Sequence, residues 1–494
     1  MALRESPADE INRLLREGKA PDALAAAKAF LAKQPQSFLG RIGHCRANMF
    51  LGNFVDAEVD VDLALKLSPK DPQAQLIRAC IDQRLGRIDA AVALLRPLMA
   101  GRSAHAQEAA LTLLDVLYFA HRRDEFRAIV KEGGAWTVDE RTPLILARAR
   151  SLDDPAGGAE DMRAIAHGSP HKQLKRAAGF EGVTLFDKIG RYREAFDLAS
   201  YVHAETTVPF DLESLLVPIA QQAEQVKKGV SWITPRVERV KGVALIASLP
   251  RSGTTLLEQM LDRHPQISGI GEHESIDTVC GDLSATGLWP RSPNAIPLKT
   301  LETIQRGYLT ETEKLRREGA TWTFNKSLRT WRAVPAIAAV LPGAFYIQVV
   351  RDPRDMATSH FLSPLNARVY GWTATLNSIR QIIEAERSIV PGTLEVLGVD
   401  HEVVFYEDLV DDPSAAAKRC LARMGLEMNA RVLAPEANSK AVFTISHEQV
   451  RKPINRSSIG RWKNYEFAFD SRWDKVAALH ESRRAAGAAS RRDG

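Results

Sequence analysis

No apolar run in this chain approaches the roughly 18 residues that a membrane-spanning helix needs, and residues 1–19 are charged throughout, with no apolar signal core. Cysteine is scarce. Cys45, Cys80, Cys280 and Cys420 lie too far apart for a paired metal motif, and as free thiols they suit a reducing compartment. The histidines show no ligand spacing either, so no metal is expected. Charge of one sign is also missing: 66 Lys and Arg stand against 61 Asp and Glu, and a net +5 does not call for nucleic acid. These absences predict a soluble cytoplasmic enzyme with no membrane span and no nucleic-acid partner. At 494 residues, two or three domains are expected.

One further absence is more specific. Residues 243–249 form a short apolar run typical of a buried strand, and residues 256–264 carry apolar side chains at helical spacing. Between them lies Pro250-Arg251-Ser252-Gly253-Thr254-Thr255. A nucleotide-hydrolase loop, G-x-x-x-x-G-K-[ST], would have Gly where Ser248 stands and Lys where Thr254 stands. Without that Lys, a kinase or ATPase loses the charge that reaches its β- and γ-phosphates. What remains still suits an anion: a helix N-terminus, the hydroxyls of Ser252, Thr254 and Thr255, the small Gly253, and the Arg251 guanidinium. A tight turn with no ligand is the alternative, and Arg with three hydroxyls between strand and helix argues against it.

The first half is periodic. Gly18, Gly52 and Gly86 recur every 34 residues, each followed five residues later by Ala23, Ala57 or Ala91, with Pro35 and Pro69 seventeen residues after the first two. Small residues at these positions let paired helices approach closely, and Pro ends the second helix. The spacing resembles the tetratricopeptide repeat. The register decays afterwards: residues 153–158 read as a loop, and Gly190 with Ala195 restores it. Five or six helix pairs through residue 202 are expected, then a capping helix over 211–228. This predicts an all-α solenoid over residues 1–228, a linker over 229–242 and a second domain over 243–494. The array could recruit a protein or act only as a spacer.

In the second domain, strands at 322–326, 344–350 and 402–406 join that at 243–249 and alternate with helices, predicting an α/β domain with a central parallel sheet. Ligands of such sheets sit beyond the carboxyl ends of the strands. Arg251, Lys326, Arg351 and Glu407 all fall there.

The loop at 250–255, the run Val349-Val350-Arg351-Asp352-Pro353-Arg354 and Ser359 resemble the sulfotransferases that use 3′-phosphoadenosine 5′-phosphosulfate. So do Asn325-Lys326 and the tail Ser446…Lys452-Pro453-Ile454-Asn455 with Arg461-Trp462. Within that family the likeness is greatest to the tyrosylprotein sulfotransferases and to bacterial fusions with tetratricopeptide repeats. It implies transfer of a sulfuryl group to an acceptor hydroxyl such as a tyrosine or another phenol, without metal. It also implies that the array positions a peptide or protein acceptor. On the same basis Arg251–Thr255 cradle the 5′ phosphosulfate, and Arg351 and Ser359 hold the 3′ phosphate. Tyr406, Ser446, Lys452 and Arg461 complete the donor site, where the family has Lys in place of Arg461. Lys326 stabilises the leaving oxygen, and Arg251 counts with it among the catalytic residues. Glu272, 21 residues after Arg251, matches the base, with Glu274 and His273 as rivals and a plain loop carboxylate or helix cap as the bland reading. The competing overall reading is a catalytically inactive nucleotide-binding domain serving a repeat scaffold.

Overall fold

The structure, a computed structural model, describes residues 6–101, 104–438 and 453–490. The described chain falls into two compact units that divide between Leu185 and Phe186.

The first unit is helical. It runs α1 (Pro7–Arg16), α2 (Ala20–Lys33), α3 (Phe38–Leu51), α4 (Phe54–Leu67), α5 (Pro72–Arg84) and α6 (Ile88–Ala100). Then come α7 (Ala106–Phe119), α8 (Arg123–Glu132), α9 (Thr142–Ser151), α10 (Pro155–Gly168) and α11 (Lys172–Lys188). The repeated residues divide the work differently from expectation. Gly18, Gly52, Gly86 and Gly190 take φ of 75°, 86°, 78° and 78°, so they supply the left-handed turn between paired helices and not close packing. The close packing belongs to Ala23, Ala57, Ala91 and Ala195, all fully buried. Helices α2 and α4 stop just before Pro35 and Pro69. Residues 153–158, expected as a loop, instead open α10: Asp154 accepts the amide of Gly157 at 2.9 Å. A side chain at Gly158 would meet Ser151 at 2.5 Å, so these glycines serve helix contact and not a break.

The second unit begins with α12 (Tyr192–Thr206) and α13 (Leu212–Val226), the latter packed on α19 (Leu376–Val396). Residues 229–242 are pinned as well: Trp232 donates its indole N–H to the Pro290 carbonyl at 3.0 Å, and the Val240 amide donates to Pro342 at 2.7 Å. The sheet holds β1 (Val243–Ile246), β2 (Ile267–Gly271), β3 (Trp322–Asn325), β4 (Phe345–Val350) and β5 (His401–Phe405), all parallel, in the order β2-β3-β1-β4-β5. Around it stand α14 (Thr254–Asp262), α15 (Ser275–Ala285), α16 (Leu298–Glu313), α17 (Val334–Val340), α18 (Pro353–Phe361), α20 (Tyr406–Asp411), α21 (Pro413–Arg423) and α22 (Ser471–Ser490).

On one face Phe345, Ile347 and Val349 pack with Leu257, Leu261 and Leu421. The alternate residues of β4 face α19, where Gln348 meets Glu386. Both faces are covered, as the continuous apolar runs of β1 and β4 require. Because Leu245 pairs with Asn325 and Tyr346, and Gly271 with Asn325, the strands end together. The residues that follow them share one edge.

Candidate active site

The edge is built first by the loop after β1. Ser248 is buried, and its hydroxyl accepts the Val349 amide at 2.7 Å, extending the strand where a glycine would offer nothing. Arg251 takes φ +65° and Gly253 φ +105°, so the chain doubles back before α14 starts at Thr254. Ser252 donates its hydroxyl to the Leu249 carbonyl at 2.9 Å, and Ser252, Thr254 and Thr255 are all buried. Glycine is required at 253, since a Cβ there would lie 2.4 Å from Tyr406 Cδ2.

Arg251 and Arg351, which follow two different strands, come together here. Arg251 Nε donates to Ser359 Oγ at 2.9 Å, and Arg351 Nη1 donates to the Arg251 carbonyl at 3.1 Å. The Arg351 guanidinium lies 4.7 Å from the centre of the Tyr406 ring and also donates to the Ser458 carbonyl, while its buried Nε has no partner among the described residues. Burial, with the charges of Arg351 and Arg461 beside it, pulls Arg251 down to about 10. So much positive charge, held with a buried donor unfilled, fits a group carrying several anionic oxygens.

The segment 458–462 closes over this loop. Asp355 accepts the amides of Gly460 at 2.7 Å and Trp462 at 2.9 Å, and the Arg354 guanidinium sits 3.6 Å over the Trp462 ring. Trp462 therefore stacks on a cation. Arg461 is engaged by Asp187, at 2.9 Å, and Asp187 also accepts the Tyr465 hydroxyl. Ser446 and Lys452 lie outside the described residues.

At the neighbouring strand ends, Lys326 Nζ donates to Glu272 Oε1 at 2.6 Å. The lysine side chain is only 2% exposed, whereas that of Glu272 is 38% exposed and open to an incoming molecule. Of the two rivals, His273 Nδ1 accepts the Ser275 amide at 3.3 Å, and Glu274 precedes α15 without a side-chain cap bond. Asn325 fastens the turn: its amide donates to Ser275 Oγ at 3.1 Å, and its oxygen accepts the Ser327 amide at 2.9 Å. Tyr370 stands close enough to Glu272 that burial and the carboxylate charge push its hydroxyl up to about 12.

Besides Asp187, the sequence reading missed Glu258 and His360. Glu258 on α14 accepts the Gly271 amide at 3.0 Å and lies 4.0 Å from Lys326 Nζ. A carboxylate among the apolar positions of a helix, one turn past an anion loop, is the signal that could have found it. His360, next to Ser359, donates its Nε2–H to the Pro250 carbonyl at 2.9 Å, and burial with the nearby Arg251 charge drives it down to about 3, so it is neutral. Among the described residues no cluster of three or more His, Cys, Asp or Glu could hold a metal ion, and no helix is long and apolar enough to cross a membrane.

Residues 244–430 match the sequence model of the Sulfotransferase family. An uncharacterized protein of Aquifex aeolicus is 26% identical over 321 residues, covering 60% of this chain and 40% of its own length. Protein-tyrosine sulfotransferase 2 of Gallus gallus is 24% identical over 246 residues, covering 46% of this chain and 64% of its own. Protein-tyrosine sulfotransferase 1 of Danio rerio is 26% identical over 235 residues, with coverages of 44% and 64%. The chain thus spans between 40% and 64% of the length of these curated relatives. Among solved structures, the sulfotransferase domain of the Synechococcus PCC 7002 olefin synthase is 19% identical, covering 48% of this chain and 98% of that one, at a TM-score of 0.35. The α/β part of the second unit, with Arg251, Glu272, Lys326 and Arg351 along one sheet edge, is a sulfotransferase-family domain.

Proposed function

We propose that the chain moves a sulfuryl group from 3′-phosphoadenosine 5′-phosphosulfate to an acceptor hydroxyl, with Glu272 as the base. The observation that carries this reading is the Glu272–Lys326 pair, 2.6 Å apart, on the same strand edge as the Arg251 and Arg351 cluster. In the reaction the acceptor oxygen bonds to sulfur as the bond from sulfur to the bridging phosphate oxygen breaks. Glu272 takes the acceptor proton, and its partial exposure leaves it accessible to that hydroxyl. Lys326 and Arg251 stand for the negative charge that grows on the departing oxygen, the work Mg²⁺ does in phosphoryl transfer. Arg251–Thr255 hold the 5′ end, and Arg351, Ser359 and Tyr406 the 3′ phosphate side. The Arg251–Ser359 bond ties the two halves together. Ser446, Lys452 and Arg461 complete the donor site in this reading, Arg461 leaving Asp187 to do so.

The acceptor we favour is a tyrosine or another phenol. Similarity to the protein-tyrosine sulfotransferases supports it, as do Tyr370 beside Glu272 and Trp372 two residues on. The helical array then recruits a peptide or protein acceptor, and the reaction runs in the cytoplasm, in keeping with four free cysteines.

The test is calorimetric titration with 3′-phosphoadenosine 5′-phosphate in the presence of a chelator, paired with transfer of labelled sulfate from the donor into a cell extract. Binding in the micromolar range and a labelled product lost in Glu272→Gln are expected. No binding and no transfer would overturn the reading.

A further inference from the structure

We propose that Glu258 is a positioning residue of this site, a second counterion that keeps the Lys326 ammonium in place while Glu272 takes up the acceptor proton; the inference rests on the function proposed above. Its carboxylate is enclosed, 5% exposed, so it does not meet the acceptor. One oxygen accepts the Gly271 amide at 3.0 Å, and the other lies 4.0 Å from Lys326 Nζ. Gly271 has φ +71°, which turns the chain from β2 toward Glu272, and its carbonyl accepts the Lys326 amide at 2.9 Å. The two peptide groups flanking Gly271 thus tie Glu258 on one side to Lys326 and Glu272 on the other, and Glu258 holds them from the helix that follows the anion loop.

The charge count gives Glu258 its part. At rest two carboxylates face one ammonium. When the acceptor proton reaches Glu272, that carboxylate becomes a neutral acid and no longer balances Lys326. A lysine 2% exposed cannot turn to water for compensation. The Glu258 carboxylate, 4.0 Å away and equally enclosed, is the counterion left beside it as Glu272 is discharged. Lys326 then stays charged and fixed for the leaving oxygen. Without Glu258, proton uptake would strand a buried cation until charge had built on that oxygen, opposing the step at its start.

The variant that isolates this role is Glu258→Gln, which keeps an oxygen for the Gly271 amide and removes only the charge. In sulfate transfer by the full chain, kcat falls by about tenfold or more, while KM for the donor and the affinity for 3′-phosphoadenosine 5′-phosphate stay within about twofold. Glu258→Asp, which restores the charge at shorter reach, recovers part of the loss. A wild-type kcat in Glu258→Gln overturns the proposal and leaves the proposed function standing. If the wild-type chain transfers no sulfate, the function fails and the counterion role is read separately. Pulse labelling of Lys326 with acetic anhydride, followed by mass spectrometry, is then about threefold faster or more in Glu258→Gln, because the amine is held in place by one carboxylate fewer. Equal labelling overturns it. Should Glu258→Gln fail to fold, Glu258→Asp carries the comparison alone: a severalfold lower kcat at unchanged KM is expected, and an unchanged kcat is refuting.

Discussion

Gly253→Ala is the substitution whose cost follows most directly from the geometry. At φ +105° an L-residue pays a backbone penalty of about 1–2 kcal/mol. The new Cβ would also stand 2.4 Å from Tyr406 Cδ2 and 3.0 Å from Cε2, an overlap that must be relieved by movement, at about 1–3 kcal/mol. The smaller entropy of the unfolded alanine chain returns about 0.4–1 kcal/mol, leaving a net loss of about 1–5 kcal/mol. Tyr406 cannot yield alone, because the Arg351 guanidinium lies on its ring at 4.7 Å. The affinity for 3′-phosphoadenosine 5′-phosphate should therefore fall by about tenfold or more, the equivalent of about 1.4 kcal/mol. Urea unfolding and calorimetric titration measure the two effects. Gly52→Ala is the control: its φ is +86°, yet nothing lies within 4 Å of the added carbon, so it carries the backbone penalty alone and leaves nucleotide binding unchanged. If Gly253→Ala is no less stable than Gly52→Ala and binds nucleotide like the parent, the packing of Tyr406 against the loop does not organise the site.

Glu272→Gln should lower kcat by about 10²-fold or more with nucleotide affinity within about twofold, measured by labelled-sulfate transfer and titration. Lys326→Met leaves Glu258 and Glu272 facing without a cation; the expected loss is about 3 kcal/mol, the low end for breaking a buried pair, because Glu272 is partly solvated. Urea unfolding reads it. Glu386 supplies a pH dependence: burial pushes its carboxyl up to about 7, against which the Gln348 hydrogen bond and Arg387 pull only in part. The folded state therefore holds a proton that the unfolded chain releases near its ordinary 4.5, so this stabilisation is full below pH 4.5 and is lost as pH rises through 7. The change is about 3 kcal/mol. Unfolding of Glu386→Gln, followed across that range, should be flatter by that amount, and an unchanged slope would refute the assignment.

What could be read in the chain beforehand was whatever local pattern and parallel-strand geometry decide together. The apolar runs at 243–249 and 344–350 had to be buried strands, and parallel strands in register must deliver their following residues to one edge. The placement of Arg251, Lys326 and Arg351 on that edge was legible for that reason, whereas Glu272 was singled out only by the resemblance to the tyrosylprotein group, with Glu274 and His273 beside it as rivals. The repeat was legible from its 34-residue period, although the pattern alone could not tell a glycine that turns from an alanine that packs. Glu258, His360 and Asp187 were not legible. Each looks like an ordinary polar residue on its own helix, and each acquires its part from a partner that only the fold brings near: Gly271 and Lys326 for Glu258, the Pro250 carbonyl for His360, and Arg461 with Tyr465 for Asp187. Glycine misled in the opposite direction at 157 and 158, where close approach to Asp154 and Arg150 at the first and to Ser151 at the second outweighed a weak helix propensity. A residue that bears charge at a strand end declares itself through topology. One that balances that charge from a neighbouring helix is hidden until the helix is docked, which is why a counterion such as Glu258 must be sought in the structure.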